Sequence, residues 1–244
     1  ALCENSTAIS NLSEARDTRT MLSILENSDG IWDVKDAGTT MRFLTAYACV
    51  RNLHQTITGT ERMQQRPIGI LVDALRTLGA KIDYQNNDGY PPITIQSFAQ
   101  KTNVVSIQGD VSSQYISALL MIAPCLENGL ALQLEGKIGS KPYVEMTLEI
   151  MRHYGITSNW NNNTITVAPQ PYRATGFRVE PDWSAASYWY SFVALSKNGS
   201  VLLAGLTDRS VQGDRVIADM MEHLGVHTEF TTEGALLTKK THQT

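Results

Sequence analysis

Cysteine is scarce in this 244-residue chain: there are three, Cys3, Cys49 and Cys125, and they lie far apart. An odd number without CxxC spacing argues against a disulfide framework and against a zinc site. We interpret all three as core residues, which predicts a reducing, cytoplasmic location. The five histidines show no HExxH or comparable ligand spacing, so we expect no metal site. We also expect no cofactor.

Long hydrophobic runs and a strong charge imbalance are also missing. No apolar stretch reaches the roughly 18 residues that a membrane span needs. The formal net charge of −4 gives no reason to expect binding to nucleic acid or to a membrane. A hydrophobic content of 42% with 18% charged residues is ordinary for a globular protein, and the length suits two domains. Composition therefore argues against a membrane protein and against a nucleic-acid-binding protein, and it leaves the function open.

What the chain does have is an internal repeat. Three stretches follow one plan: a helix, a short strand, a loop, a second helix and two further strands. They begin at "DAGTTMRFLTAYACV", "GDVSSQYISALLMIAPC" and "EPDWSAASYWYSFVALS". With a strand before each first helix, the unit is βαβαββ, and we predict an α/β (α+β) fold class built from repeated βαβαββ units.

Glycines mark two positions of each repeat and recur at intervals of 69–77 residues. Those that close the first strands or follow the second helices are Gly59, Gly136 and Gly205, and Gly79, Gly155 and Gly225 respectively. A glycine directly after a helix is typical of a left-handed C-cap. The glycines thus support the repeat independently of its hydrophobic pattern.

The first and last parts of the chain predict an incomplete domain organisation. The stretch "ALCENSTAISNLSEARDTRTMLSILE" matches the third repeat from inside its first helix onward, so we expect a truncated chain. The polar, proline-containing residues 169–182 interrupt the repeat and predict a crossover between domains. We expect residues 1–174 to form one domain of about three units, with its amino-terminal part missing. Residues 175–244 would be the first unit of a second domain.

Polar residues before the helices form the candidate binding site. Helix starts offer unpaired N–H groups and partial positive charge, which suit phosphate and carboxylate groups. The cationic and hydroxyl side chains at these positions are Arg42, Arg62, Arg66, Ser112, Ser113, Ser140 and Lys141. If the helix starts of the repeat point one way, these side chains converge on one anionic ligand.

Each of these residues also has a purely structural explanation. Ser112 and Ser113 could cap the helix that follows them. The two arginines of the loop "ERMQQRP" could be solvated charges, and Lys141 with Tyr143 could form a surface pair. Asp182 is as well placed to cap a helix as to act as an acid. The repeat favours the ligand-binding interpretation only through the equivalence of the loops.

Five motifs carry a resemblance to a known family. They are "DAGTTMRFLTA", "TGTERMQQRPIGILVDALRTLGA", "GDVSSQYISALLMIAP", "GSKPYVEMTLEIMRHYGI" and "SVQGDRVIADMMEHLG". In this order and spacing they resemble the signatures of 5-enolpyruvylshikimate-3-phosphate (EPSP) synthase over essentially the whole chain. The resemblance implies a cytoplasmic transferase, monomeric at full length, with two domains of three βαβαββ units in an inside-out barrel. This chain would hold one near-complete domain plus one unit of the second.

The resemblance also implies a reaction and roles for individual residues. The enolpyruvyl group of phosphoenolpyruvate would pass to the 5-hydroxyl of shikimate 3-phosphate, with release of phosphate, in the shikimate pathway to aromatic amino acids. The implied contacts to shikimate 3-phosphate are Thr39, Ser112, Ser113, Gln114, Ser140 and Tyr143. Those to phosphoenolpyruvate are Gly38, Arg62 and Gln114. Gln114, between the two substrates, is the catalytic residue implied for this chain, and Arg42 and Arg66 would support the loops.

The family takes its acid and base from segments that these 244 residues do not include, so we expect the isolated chain to lack turnover. Two alternatives stay open. UDP-N-acetylglucosamine carboxyvinyltransferase is similar in topology but uses a cysteine in the loop before an Arg-Pro pair, where this chain has "TGTERMQQRP". A non-catalytic ligand-binding module is the other alternative.

Overall fold

A computed structural model describes residues 1–3, 5, 7–27 and 30–240 of the protein. Contacts divide the chain into two compact units. The first consists of Ala1–Ala8 with Leu12–Phe177, and the second of Ile9–Asn11 with Arg178–Thr244. The chain end "THQT" lies outside the described residues.

Seven α-helices and thirteen strands are found over the described ranges. The helices are α1 (Arg16–Glu26), α2 (Gly38–Val50), α3 (Gly69–Leu78), α4 (Ser113–Ile122), α5 (Lys141–His153), α6 (Trp183–Leu195) and α7 (Ile217–Glu222). The strands are β1 (Ile9–Ser10), β2 (Trp32–Asp33), β3 (Gln55–Thr58), β4 (Ala80–Tyr84), β5 (Ile93–Phe98), β6 (Val104–Gln108), β7 (Leu130–Glu135), β8 (Asn159–Asn161), β9 (Thr164–Val167), β10 (Phe177–Arg178), β11 (Ser200–Ala204), β12 (Val226–Phe230) and β13 (Gly234–Lys239).

The first unit contains the predicted plan twice. The order β2-α2-β3-α3-β4-β5 is repeated as β6-α4-β7-α5-β8-β9. Each copy forms a four-stranded sheet with the same strand order, β2-β3-β5-β4 and β6-β7-β9-β8. In both sheets the first pair is parallel and the other pairs are antiparallel. The predicted βαβαββ repeat is confirmed.

This topology brings helix starts together. In each copy the first two strands are parallel, and a helix follows each of them. At the ends of these strands Asp33 lies opposite Thr58, and Gln108 lies opposite Glu135. Because the carboxyl ends of parallel strands meet at one edge of a sheet, α2 and α3 begin at the same edge, and so do α4 and α5.

The core of the first unit is built around α2 and α4, which pack side by side. These helices are apolar on nearly all sides, as their sequences predict for buried helices; Ala48, Leu119 and Leu120 are fully buried. The second helices α3 and α5 bury one face and expose the other, as the alternating burial of their residues shows. Leu75 on α3 and Val144 on α5 are fully buried. Because α2 and α4 are packed together in the core, the positions of their starts are fixed by that packing.

The amino-terminal part departs from the plan in one respect. β1 and α1 follow one another in the order of the second strand and second helix of a repeat, although β1 pairs with β10 rather than with a strand of the four-stranded sheets. The other repeats end in two strands, but only residues 27–31 separate α1 from β2, too few for such a pair.

The second unit holds one repeat, β10-α6-β11-α7-β12-β13. Three of its strands form an antiparallel sheet in the order β11-β13-β12, and β10 is not part of that sheet. Trp183 and Tyr190 of α6 are fully buried within this unit. The neighbouring face of the same helix is apolar yet exposed: Phe192 is 67% and Leu195 is 87% exposed. Thus α6 carries two apolar faces, of which its own unit buries one.

The prediction that all three cysteines are core residues is wrong for two of them. Cys49 in α2 is buried, and burial raises the pKa of its thiol to about 12. Cys3 is half-buried and Cys125 is exposed, and all three are free thiols. Cys125 follows the apolar run of α4 but lies in a short 3₁₀ turn beyond its end, in which Ala123 and Pro124 are buried and Cys125 is exposed.

Two further searches cover the described part of the chain. No helix there is long and apolar enough to cross a membrane. No group of three or more histidine, cysteine, aspartate or glutamate side chains there is placed to hold a metal ion.

Candidate functional site

The start of α2 is shaped by a glycine that has no room for a side chain. A Cβ built on Gly38 would lie 2.4 Å from the Nη atoms of Arg66. Arg66 in turn donates a hydrogen bond from Nη1 to the Asp36 carbonyl, at 3.2 Å. Among the described residues, no side chain accepts a hydrogen bond from the backbone N–H groups in the first turn of this helix. The motif "DAGTT" therefore gives a bare helix start with a guanidinium packed on its glycine.

A buried hydrogen-bond network joins the start of α2 to the start of α4. Arg42 donates from Nη1 to the Gly38 carbonyl and to Gln114 Oε1, both at 2.9 Å. The Gln114 amide nitrogen Nε2 donates to Thr39 Oγ1, also at 2.9 Å. The structure thus brings together three predicted site residues, Gly38, Thr39 and Gln114, and it does so through Arg42.

The start of α4 carries the polar triplet of residues 112–114. Ser112 is the N-cap, and its hydroxyl accepts from the Gln114 backbone N–H at 3.4 Å. This distance lies at the long end for such a bond. Ser113 is partly exposed and begins the helix. The triplet therefore does more than cap the helix, since Ser112 is the cap, Ser113 is the partly exposed first helical residue, and Gln114 joins the network.

The start of α5 lies against the loop that leads into α4. The Gly139 N–H donates to the Gly109 carbonyl at 3.0 Å. One turn further in, the hydroxyls of Ser117 and Thr147 form a hydrogen bond of 2.7 Å between the two helices. Ser140 precedes α5, and its hydroxyl caps no backbone N–H of that helix. These contacts put Ser140 beside the start of α4 with a hydroxyl that the helix does not use.

Lys141 and Tyr143 follow on the exposed first turn of α5. Lys141 forms an ion pair with Glu145 at 3.4 Å, and its ammonium lies 5.3 Å from the ring centroid of Trp160. The structural explanation as a surface residue therefore holds for Lys141. Tyr143 is 42% exposed.

Positive charge at the start of α2 surrounds one carboxylate. Asp36 accepts a hydrogen bond from the Thr60 hydroxyl and forms an ion pair with Arg16 at 2.8 Å. The Thr60 bond, together with the charges of Arg16 and Arg62, holds the pKa of the Asp36 carboxyl below its usual value. The charge of Arg62 therefore acts on the loop at the start of α2, although its side chain forms no hydrogen bond or ion pair within the described ranges.

Several residues of this region were missed by the sequence analysis. Asp36 and Thr60 tie together the loops before α2 and α3. Tyr115 donates to the Pro67 carbonyl at 2.7 Å, and its ring lies 5.0 Å from the Arg42 guanidinium. Asp36 belongs to the quoted motif "DAGTT", so its position was a signal. Tyr115 lies in an apolar run, and no sequence signal marked it.

The second unit uses its equivalent helix start differently. Asp182 accepts hydrogen bonds from the backbone N–H groups of Ser184 and Ala185, at 2.8 and 3.1 Å. The hydroxyl of Ser184 donates to Asp214 at 2.5 Å. A carboxylate thus satisfies the first turn of α6, and the capping explanation holds for Asp182.

Fold and site together define a class: an α/β protein of repeated βαβαββ units with uncharged, donor-rich helix starts beside arginines. The model of the family described as EPSP synthase (3-phosphoshikimate 1-carboxyvinyltransferase) matches residues 13–244. The chain therefore belongs to the EPSP synthase family.

Curated relatives agree with this assignment. The 3-phosphoshikimate 1-carboxyvinyltransferase of Bacteroides fragilis (strain YCH46) is 49% identical over 240 residues, which is 98% of this chain and 58% of the relative. That of Sulfurovum sp. (strain NBC37-1) is 38% identical over 259 residues, covering 94% of this chain and 60% of the relative. The chain thus spans about three fifths of the length of these relatives.

Solved structures agree on the fold. An EPSP synthase from Acinetobacter baumannii superposes with a TM-score of 0.77 at 17% identity, over 99% of this chain and 60% of that one. A second structure from the same organism has a TM-score of 0.75. The predicted fold class, repeated βαβαββ units of the enolpyruvyl transferase type, is confirmed.

Proposed function

We propose that this chain is the part of a 3-phosphoshikimate 1-carboxyvinyltransferase that holds shikimate 3-phosphate and one side of phosphoenolpyruvate. The whole protein would transfer the enolpyruvyl group to the 5-hydroxyl of shikimate 3-phosphate and release phosphate, a step of the shikimate pathway. The observation that carries the proposal is the set of donors at adjacent helix starts in a chain whose residues 13–244 match this family.

The side that holds shikimate 3-phosphate is proposed to comprise Thr39, Ser112, Ser113, Gln114, Ser140 and Tyr143. Its 3-phosphate needs several donors, since a phosphate dianion presents three strong acceptor oxygens. The first turns of α4 and α5 supply backbone N–H groups and the positive end of the helix dipole. The hydroxyl of Ser140, which caps no N–H, adds a donor next to them.

The side that holds phosphoenolpyruvate is proposed to comprise Gly38, Arg62 and Gln114. Arg62 is exposed and is the N-cap of a short 3₁₀ turn. A guanidinium donates to a carboxylate or a phosphate through two parallel hydrogen bonds, which makes such contacts strong and directional. Gly38 begins α2, whose first turn has no side-chain cap from the described residues, and it would contribute a backbone N–H rather than open space, because the Arg66 guanidinium fills the position of its Cβ.

Catalysis needs more than these residues. Enolpyruvyl transfer removes a proton from the 5-hydroxyl and adds one to the enol methylene, through a tetrahedral intermediate that still bears the phosphate. This requires a placed acid and base and cationic stabilisation of the oxyanions. The serines, threonine, glutamine and arginine of the proposed site are donors that hold anions. Gln114, which would touch both substrates, orients them and carries no proton between them. We therefore propose that the 244-residue chain binds but does not turn over.

The location and assembly of the whole protein are proposals as well. We propose a cytoplasmic enzyme that works as a monomer on two small-molecule substrates without a cofactor. The rival transferase with a loop cysteine is disfavoured, because Cys49 lies within α2 and Cys125 follows α4, and neither is in the loop of residues 59–66.

Calorimetry with shikimate 3-phosphate tests the proposal. The chain should bind this ligand, and Ser112→Ala with Ser113→Ala should weaken binding about tenfold or more, the value of one or two hydrogen bonds to a charged group. Ser158→Ala, an exposed loop serine, is the matched control and should bind as the wild type does. Unchanged affinity in the Ser112/Ser113 variant would refute the proposal that these two serines bind the ligand. Phosphate release from phosphoenolpyruvate at a rate typical of enzymes would contradict the claim that the chain lacks its acid and base.

A further inference from the structure

Arg42 is an unusual residue for the interior of the first unit. It is only 6% exposed, and no carboxylate pairs with it among the described residues. Its partners are neutral: the Gly38 and Pro67 carbonyls, the Gln114 amide oxygen and the Tyr115 hydroxyl. Its Nε has no hydrogen-bond partner in the described part of the chain. Burying a cation without a counter-ion costs free energy, so this position calls for an explanation beyond packing.

The guanidinium determines which way the Gln114 amide points. Arginine only donates hydrogen bonds, so the Gln114 atom that faces Arg42 at 2.9 Å has to be the oxygen. The amide nitrogen is thereby turned to Thr39 Oγ1. An amide next to two hydroxyls could adopt either orientation; next to a guanidinium it has one.

The orientation passes on to Thr39. Since Thr39 Oγ1 accepts a hydrogen bond from Gln114 Nε2, its own hydroxyl hydrogen can be donated to another group. Nε2 also has a second proton that this bond does not use. In the series Arg42, Gln114, Thr39 each side chain donates a hydrogen bond to the next. The groups left over at its end, the Thr39 hydroxyl hydrogen and the second hydrogen on Gln114 Nε2, are therefore donors. Protons are what an anionic ligand needs.

We propose that Arg42 is a positioning residue that aligns Gln114 and Thr39 as hydrogen-bond donors toward an anionic ligand at the start of α2. The inference rests on the proposed function and deepens it, because it explains how a neutral glutamine and threonine recognise an anion. If Arg42 only held the Pro67 loop to α2, the contribution of the Thr39 hydroxyl to ligand binding would be the same with and without Arg42. The two roles therefore differ in a measurable coupling.

A double-mutant cycle measures that coupling. Shikimate 3-phosphate is titrated into the wild-type chain, Arg42→Met, Thr39→Val and the double variant. Each single change should weaken binding about tenfold, and the double variant should be weakened little more than either, because both remove the same donor. Thr39→Ser, which keeps the hydroxyl, should bind like the wild type. Independent effects that multiply to about a hundredfold would overturn the proposal and assign Arg42 a structural role.

A second measurement keeps the proposal testable if Arg42→Met does not fold. In the wild-type chain without ligand, nuclear Overhauser effects should connect the Gln114 side-chain amide protons to the Thr39 side chain. Contacts from those protons to the Arg42 guanidinium instead would mean the opposite orientation and would refute the alignment. If the wild-type chain does not bind shikimate 3-phosphate, the proposed function fails and the ligand-directed part of this inference fails with it. The amide orientation is then decided by this measurement alone.

Discussion

At the scale of single residues, neighbouring arginines determine the state of two residues of the site, Gly38 and Gln114. Gly38 is bare because the Arg66 guanidinium occupies the space of its side chain. Gln114 points its nitrogen at Thr39 because Arg42 takes its oxygen. In both cases an arginine, attached some distance away in the sequence, sets the state of a small neutral group beside it.

Replacing Gly38 by alanine tests this at one atom. The added methyl meets the far end of a flexible side chain, so we expect Arg66 to move and its bond to the Asp36 carbonyl to break. The lost hydrogen bond of Arg66 and the higher helix propensity of alanine each amount to about 1 kcal/mol and have opposite signs. The free energy of unfolding in urea should therefore change by less than about 1 kcal/mol. A crystal structure of the variant with Arg66 still bonded to Asp36 would contradict this.

Two other glycines serve as controls for Gly38→Ala. Gly79 has a φ of 120°, and a Cβ there would lie 1.9 Å from the Ala99 carbonyl oxygen. Because backbone cannot step aside as an arginine head can, Gly79→Ala should destabilise by about 2 kcal/mol or more. Gly176, where a Cβ first meets an atom at 3.9 Å, should tolerate alanine.

At the scale of elements, equivalent helix starts of the repeat satisfy their first turns in different ways. α6 is capped by a carboxylate, Asp182, which accepts two N–H bonds. α4 is capped by the Ser112 hydroxyl over a long 3.4 Å, and α2 and α5 have no side-chain cap. Among the first helices of the repeats, α2 and α4 thus have weaker side-chain caps than α6, while α5 resembles the other second helices, α3 and α7, which have no side-chain cap from the described residues.

Removing a hydroxyl or carboxylate should therefore have opposite consequences at two helices. Asp182→Ala should cost about 1 kcal/mol and speed amide exchange in the first turn of α6 about fivefold, while Asp182→Asn should retain most of the protection. Ser140→Ala should leave amide exchange in α5 unchanged and weaken binding of shikimate 3-phosphate. Hydrogen exchange of the two variants measures the difference. Faster exchange in α5 after Ser140→Ala would mean that Ser140 stabilises its helix and is not reserved for a ligand.

At the scale of the whole molecule, the repeat made most of the fold predictable. The hydrophobic periods and the spacing of the glycines predicted the order of helices and strands in each unit, because such local signals determine where elements begin and end. They also predicted which loops share an edge of a sheet, because equivalent positions of a repeat have equivalent places.

What could not be predicted depends on contacts between distant segments. Nothing near Arg42 in the sequence shows that Gln114 and Tyr115 lie against it, and nothing near Lys141 shows that its ammonium lies over Trp160. Cys125 was misplaced because the apolar run before it continues the pattern of a buried helix, whereas α4 ends at Ile122 and Cys125 lies in a 3₁₀ turn with its side chain exposed between the buried Pro124 and Leu126. In each case packing, rather than local sequence, decided the position of the side chain.

The central claim is that the starts of α2, α4 and α5 bind one small phosphorylated anion together. Backbone amide spectra of the isotope-labelled chain, recorded while shikimate 3-phosphate is added, test this most directly. We predict shifts that saturate at a single ligand concentration and cluster at residues 38–39, 112–114 and 140–143, with the helix start at Ser184 unchanged. Shifts confined to one of these three segments, or centred elsewhere in the chain, would contradict a shared site.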